Sequence, residues 1–209
     1  MKRRLLAIAA MLCALPASGG DAPPDPAVVE ALTPIDGLPS KVLVDYAFRG
    51  SDAAARLSAI ASDSANDPGV QIRAIRMLPL YCPQPSCATA SVHDALVRLV
   101  DGYVTALRQA PGITLAPLDQ LRLRTAVEAL GATRSGRASD VHLVTDDPRA
   151  LLRHASRDVR VTVVRALRAL RSCEAIAPLQ TLNASETSAQ VKLAIRLALQ
   201  NLSAPGACT

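Results

Sequence analysis

Three histidines and one carboxylate pair are the residues whose chemistry first suggests a reactive or metal-binding site. His93, His142 and His154 stand alone, since none belongs to a His-Glu, His-x-x-His or His-x-x-x-His pattern, and a lone histidine is typical of an ordinary surface or core position. Asp146 and Asp147 precede a proline, which favours N-terminal capping of a helix over acid–base catalysis. The sequence also lacks a nucleophile elbow, a phosphate-binding loop and a dinucleotide fingerprint. We therefore predict no catalytic residue, no metal site and no cofactor.

Cysteines are the next reactive group. Cys82 and Cys87 lie in a proline-rich link with four residues between them, which is not the Cys-x-x-Cys spacing of a thiol oxidoreductase. No second ligand pair stands at zinc-finger spacing. With Cys173 and Cys208 they make an even number, which favours disulfides in an exported chain. Four cysteines allow three pairings, of which proximity favours Cys82–Cys87.

The first 19 residues have the pattern of a secretory signal peptide. Residues 2–4 are basic, residues 5–15 are uncharged and apolar, and Ala17 and Gly19 are small residues of the kind that signal peptidase requires. The apolar run is shorter than the ~20 residues that span a bilayer, so an N-terminal membrane anchor is the weaker alternative. We predict export to the periplasm or the extracellular space.

A lipoprotein acylated at Cys13 is a further alternative for the same segment. Leu12 is larger than the small residue that precedes a lipidated cysteine, so we rank this interpretation second. Residues 20–40 follow the leader and contain five prolines, which predicts an extended linker with one helical turn near Ala27–Leu32. The mature chain then carries no transmembrane span, and membrane association depends on lipidation of Cys13.

Charge is uneven along the chain. Removal of the leader leaves 20 basic against 18 acidic residues, which argues against nucleic-acid binding. Residues 149–209, however, hold nine basic and three acidic residues. One interpretation is a basic face for an acidic protein, a peptidoglycan-type polymer or an anionic lipid surface. The interpretation that we favour places these arginines at solvated helix positions. The candidate partner-binding residues are Arg153, Arg157, Arg160, Arg168 and Arg171.

Helices must position these side chains. Aromatic residues make up only 2% of the chain, so the core is built from Ala, Leu, Val and Ile, and no sustained alternating run predicts a strand. Asp67 and Pro68 suit a helix start, and Gly131 suits a C-cap. We predict helices over 41–48, 52–62, 70–81, 91–107, 117–130, 147–154, 158–170, 174–182 and 188–202.

Four of these segments resemble one another. Val159–Leu170 aligns with Val191–Leu202 at an offset of 32 residues, sharing an initial Val, a basic residue and a closing Ala-Leu-x-x-Leu. Leu121–Gly131 matches them more loosely, with Val127 lying 37 residues before Val164. Val70–Leu78 is a fourth copy a further 52 residues upstream, an interval that implies an insertion around Cys82–Ser91.

The four segments resemble short HEAT-like repeats, the kind found in the PBS lyase HEAT-like group. Asp67-Pro68-Gly69-Val70 followed by Ala74-Ile75-Arg76-Met77-Leu78 fits the pattern Asp-Pro-x-Val-Arg-x-x-Ala-Val-x-Ala-Leu, as does the segment from Asp158 to Leu167. Ala175–Leu179 resembles the start of the second helix of such a repeat. The resemblance implies an all-α, right-handed superhelical solenoid of stacked antiparallel helix pairs over residues 41–203, with a C-terminal tail over 204–209.

The resemblance also implies what the protein does. HEAT-like solenoids are rigid surfaces that bind other proteins, so we expect a non-catalytic exported scaffold or protein–protein interaction module whose partner is a protein. A lipoprotein-anchored envelope scaffold is one alternative, and a relative of HEAT-like chromophore lyases is another. Parallel first helices in such a stack would bring Cys173 and Cys208 to the same edge, where a disulfide would clamp the last repeat.

Overall fold

The computed structural model describes residues 26–33, 37–49, 52–82, 90–110, 114–146 and 151–208. These residues form ten α-helices and three short 3₁₀ turns, with no β-strand among them, so the predicted all-α class is confirmed. The α-helices are α1 (Pro26–Ala31), α2 (Lys41–Ala47), α3 (Ala53–Ser62), α4 (Pro68–Met77), α5 (Ala90–Gln109), α6 (Pro117–Ala132), α7 (Ala138–Thr145), α8 (Arg157–Leu170), α9 (Ile176–Ser185) and α10 (Ala189–Leu202). The 3₁₀ turns span Leu78–Tyr81, Leu151–Arg153 and Cys173–Ala175.

Local sequence signals explain where the N-terminal helices begin. The side chains of Ser40, Asp52 and Asp67 accept hydrogen bonds from backbone N–H groups of the first turns of α2, α3 and α4. Pro68 occupies the first turn of α4, as predicted. Pro79 lies just after α4, where the chain tightens into a 3₁₀ turn because proline has no N–H to continue the helix.

Two local expectations on the central helices are wrong. Gly131 does not cap α6; it lies inside the helix, which ends at Ala132. Asp146 does not open a helix; it follows α7, a helix absent from the predicted set, and its carboxylate lies 3.1 Å from Nδ1 of His142 one turn earlier. Its neighbour Asp147 lies outside the described residues, as does most of the helix start predicted there.

The helices that carry the self-similar segments pack against one another in chain order. α4 packs against α6, α6 against α8, and α8 against α10, and we refer to these four as the even row. A second set follows the same order: α3 contacts α5, α5 contacts α7, and α7 contacts the turn that leads into α9. We refer to α3, α5, α7 and α9 as the odd row. Each even helix also packs against the odd helix that precedes it, so the pairs are α3–α4, α5–α6, α7–α8 and α9–α10.

The pairing corrects one expectation about residues 175–179. Ala175 closes the 3₁₀ turn, and residues 176–179 begin α9. α9 packs against the helix after it and not as the second helix of a pair with α8. Arg171 ends α8 in the left-handed conformation (φ 60°), and the 3₁₀ turn that follows leads the chain away from α8. The self-similar helix is therefore the second member of each pair.

α6 and α8, which are neighbours in the even row, run in the same direction. Arg124, midway along α6, donates a 3.3 Å hydrogen bond to Thr162 early in α8. Further along, a Cβ at Gly131 would lie 2.7 Å from Cα of Ala166. Beyond the end of α6, Gly136 N–H donates to the carbonyl of Leu170, the last residue of α8. The order of these contacts is the same along both helices, which fixes a parallel arrangement.

Equivalent positions of the repeat share the same burial. Ala74, Ala126, Val163 and Ile195 are aligned by the 52-, 37- and 32-residue offsets, and all four are buried. Three of the residues that follow them, Ile75, Val127 and Val164, are buried too, yet their counterpart in α10 is the exposed Arg196. The three apolar residues belong to helices with a later neighbour in the row, and α10 has none among the described residues. The charged side chain of Arg196 is therefore compatible with its place at the end of the row, where no described helix packs over it.

Both ends of the described chain add to the core. Val28 in α1 and Leu32 just after it are buried, and α1 packs against α2. The helical turn expected near Ala27–Leu32 in the extended linker is therefore a six-residue helix that packs on the fold. At the other end Cys173 and Cys208 form a disulfide with a Cα–Cα distance of 5.2 Å, as expected from the resemblance. Cys82 is also disulfide-bonded. Its predicted partner Cys87 lies outside the described residues.

Candidate functional site

One exposed position recurs on every helix of the even row. Arg76 in α4, Glu128 in α6, Arg165 in α8 and Leu197 in α10 are equivalent by the repeat offsets, and each is exposed. The residues on both sides of the first three are buried, whereas Leu197 lies between the exposed Arg196 and the buried Ala198. Because the four helices pack in chain order, these side chains form one outward face across the row. We refer to it as the even-row face.

The C-terminal end of this face contains a groove between α8 and α10. The groove has a volume of about 100 Å³ and is lined mainly by Val164, Arg165 and Arg168 from α8 and by Leu193 and Leu197 from α10. Val164 is fully buried at its base. Leucines thus form one wall of the groove and arginines the other.

Arg160, a predicted partner-binding residue, has a structural role instead. Its guanidinium forms a bidentate pair with Glu186, with nitrogen–oxygen distances of 2.8 and 3.0 Å. It also donates to the carbonyls of His154 and Ala155, while Glu186 accepts from two backbone N–H groups just before α10. Both side chains are largely shielded from solvent, so this guanidinium joins α8 to the start of α10 and is not free for a partner.

The Arg160–Glu186 pair also sets the electrostatics of its surroundings. The hydrogen bond from Arg160 holds the pKa of Glu186 below its usual value, in spite of the opposing effect of burial. Burial, with a contribution from the nearby Arg160 charge, lowers the pKa of His154. Both shifts favour a charged carboxylate and a neutral imidazole at neutral pH.

The other predicted arginines do not form a single face. Arg168 lies in the α8–α10 groove, but Arg153 lines a different groove, between the end of α7 and α9. Arg157 pairs with the adjacent Asp158 at 3.1 Å, and Arg171 donates to the carbonyl of Ala207, which helps hold the C-terminal tail. Arg165, absent from the predicted set, is the arginine that joins Arg168 in the groove.

A buried polar cluster that no sequence pattern predicts lies between α5 and α7. The Nε2 atom of His93 is 2.8 Å from the carboxylate of Asp140, and both residues are buried. Asp140 also accepts a hydrogen bond from the hydroxyl of Ser135. The Nδ1 atom of His93 is 3.0 Å from a guanidinium nitrogen of Arg137. The cluster therefore ties the start of α5 to the segment between α6 and α7.

The hydrogen bonds of this cluster define its chemistry. Arg137 can only donate, so Nδ1 of His93 accepts, and Nε2 carries the proton that is shared with Asp140. Ser135 donates to the carboxylate and not to the imidazole, an arrangement that differs from a Ser-His-Asp nucleophile. A pocket of about 480 Å³ opens beside the cluster and is bordered by Asp94 and Asp146 as well. No group of three or more metal-ligating side chains occurs among the described residues.

A second concave surface lies at the N-terminal end of the described chain. It has a volume of about 830 Å³ and lies between α1 and α2, where Tyr46 is 82% exposed and the nearby Val42 is 78% exposed. Beside it Asp45 accepts hydrogen bonds from Lys41 and from the hydroxyl of Tyr81, which lower the pKa of the carboxyl. Burial and this hydrogen bond raise the pKa of Tyr81. These contacts join α2 to the turn after α4.

Comparison with known proteins adds no assignment. No protein-family model, no curated protein and no solved structure matches this chain. Within the described part of the chain, every helix is too short or too polar to cross a membrane.

Proposed function

We propose that residues 41–203 form a HEAT-like α-solenoid, a right-handed stack of antiparallel helix pairs. The observation that carries this proposal is the agreement between two independent patterns. The helices that resemble one another in sequence are the helices that pack in chain order, and equivalent positions in them share burial. In a repeat protein each unit contacts mainly its neighbours, which is the pattern of the even and odd rows.

We further propose that the protein is a non-catalytic scaffold that binds another protein through the even-row face. The face is continuous across four helices and mixes charged and apolar side chains. A stack of this kind holds such a face rigid, which reduces the entropy lost when a partner binds. The polar His93–Asp140 cluster fits the same role, because its hydrogen bonds fix α5 relative to α7.

The proposal includes export from the cytoplasm. The disulfide between Cys173 and Cys208 supports it, because disulfides persist mainly in oxidising compartments. The basic and apolar pattern of residues 2–15 supports it as well. N-terminal sequencing of the secreted or periplasmic protein tests it: a mature chain that begins near Gly20 is expected, and an intact Met1 would contradict it.

Site-specific photo-crosslinking in cells that make this protein tests the scaffold role. A benzophenone amino acid at position 128 or 165 places the probe on the even-row face, and the same probe at Arg98, exposed on α5, is the matched control. We expect a discrete crosslinked product from positions 128 and 165 and none from position 98. Equal products from all three positions, or none from any, would contradict the proposal.

A further inference from the structure

The α8–α10 groove carries charges that the protein itself leaves without partners. Arg165 and Arg168 on α8 and Arg196 on α10 are exposed, and Lys192 on α10 is half-buried. None of the four forms an ion pair or hydrogen bond with any described residue. No acidic residue lines the groove. Arg160, by contrast, is paired with Glu186 in the segment that leads into α10. The groove is therefore a site of positive charge that a carboxylate from outside can pair with.

The apolar wall of the groove is equally unpartnered. Leu193 and Leu197 are one helical turn apart on α10, and 51% and 46% of their surfaces are exposed. By the 32-residue offset Leu193 is equivalent to Val161, which is buried in α8. The difference arises because α8 has a neighbour on each side in the even row, whereas none of the described helices follows α10. Leu193 and Leu197 therefore form a small exposed apolar strip beside the unpaired arginines.

We propose that this groove binds an acidic amphipathic helix of a partner protein. The leucine wall and the arginine wall belong to neighbouring helices, so a bound helix lying along the groove would place apolar side chains on Leu193 and Leu197. Carboxylates on its flank would pair with Arg165 and Arg168. This is helix-in-groove recognition, in which anchors at i and i+4 enter an apolar groove and charge fixes the orientation. The proposal rests on the scaffold role and names the partner's chemistry.

Fluorescence anisotropy with the full exported chain tests the proposal. The probe is a labelled helical peptide of about 18 residues, five turns, with leucines at i, i+4 and i+7 flanked by glutamates. Its isomer with lysines in place of the glutamates is the charge control. We expect the glutamate peptide to bind at least about tenfold more tightly than the lysine peptide, with an affinity that falls as salt is raised.

Two pairs of matched variants locate the binding site. Leu193→Ala should weaken binding of the glutamate peptide about tenfold, as for the loss of a central anchor, whereas Leu121→Ala, on the exposed side of α6, should not change it. The double variant Arg165→Glu and Arg168→Glu should abolish the preference for glutamate, whereas Arg98→Glu on α5, away from the even-row face, should leave it intact. All of these side chains are exposed, so unchanged circular dichroism is expected and verifies the fold.

Three outcomes would overturn the proposal. The first is equal binding of the two peptides or no binding, and the second is an equal loss of affinity in the control variants. The third is concentration-dependent self-association that Leu193→Ala removes, which would make the occupant a second copy of this chain. Failure here is separable from failure of the scaffold role. A partner crosslinked at position 128 alongside a groove that binds no peptide would reject only the groove.

Discussion

Replacing Gly131 by alanine sets two effects of known size against each other. In an isolated helix the substitution stabilises by about 1 kcal/mol, because alanine has the higher helix propensity. In this protein the new Cβ would lie 2.7 Å from Cα and 3.0 Å from the carbonyl oxygen of Ala166, and these backbone atoms cannot rotate away. Overpacking of this kind costs about 1–3 kcal/mol, and a backbone contact this short belongs in the upper part of that range. We expect a net loss of about 1–2 kcal/mol.

Gly102 provides the matched control. It lies inside α5, and a Cβ built there meets no atom within 4 Å, so Gly102→Ala should stabilise by about 1 kcal/mol through propensity alone. Urea unfolding followed by circular dichroism measures both variants. With a slope of about 2 kcal/mol per molar urea, the midpoint of Gly131→Ala should fall by about 0.5–1 M and that of Gly102→Ala should rise by about 0.5 M.

A double variant shows which atoms are responsible. Ala166→Gly removes the Cβ that would lie 2.9 Å from the new methyl group but leaves Cα and the carbonyl oxygen in place. The combined variant should therefore be less destabilised than the sum of the single variants, without full recovery. Stabilisation by Gly131→Ala equal to that of Gly102→Ala would refute the close approach of α6 and α8.

Three further predictions concern the links between the helices. Glu186→Gln should lower the free energy of unfolding by about 2–3 kcal/mol at pH 7, since it leaves its arginine partner largely buried without a counter-charge. Because the folded pKa of Glu186 is depressed, the difference in unfolding free energy between the original chain and Glu186→Gln is present above about pH 4.3. This difference should vanish as the pH falls through the folded pKa, and urea titrations at several pH values would detect the loss. Replacing Cys173 and Cys208 by serine should cost up to about 4 kcal/mol, and added reductant should then have no further effect through this pair. Asp140→Asn should cost about 2–3 kcal/mol in thermal unfolding, because a buried charged hydrogen-bond acceptor is lost, and an unchanged midpoint would argue against the buried cluster.

Helices with a strong local signal were predictable from the sequence. Asp67 and Pro68 define the start of α4, and the apolar period of α5 and α8 places both helices within one or two residues. α7 carries no such signal: it has eight residues, and neither a capping side chain nor a proline marks its start. Gly131 was misassigned because glycine favours both helix ends and close helix contacts, and only Ala166 on the facing helix distinguishes the two.

The candidate site was likewise predictable from the sequence only in part. The alignment of self-similar segments was sufficient to identify the helices that form the even row, since each copy carries the same apolar pattern. It was not sufficient to tell a structural arginine from a free one. Arg160 is paired with Glu186, which is 26 residues away, and His93 meets Asp140, which is 47 residues away. Such partners depend on how the helices stack, which local sequence does not encode.

A methyl NOE map of the full chain, labelled at alanine, isoleucine, leucine and valine, tests the stacked arrangement most directly. The stacked arrangement predicts cross-peaks that connect α6 with α4 and α8, and α8 with α6 and α10, including one between Ala166 and the protons of Gly131. It predicts none between α4 and α10. Cross-peaks that join α4 to α10, as in a closed bundle, would contradict the stack and with it the proposed binding face.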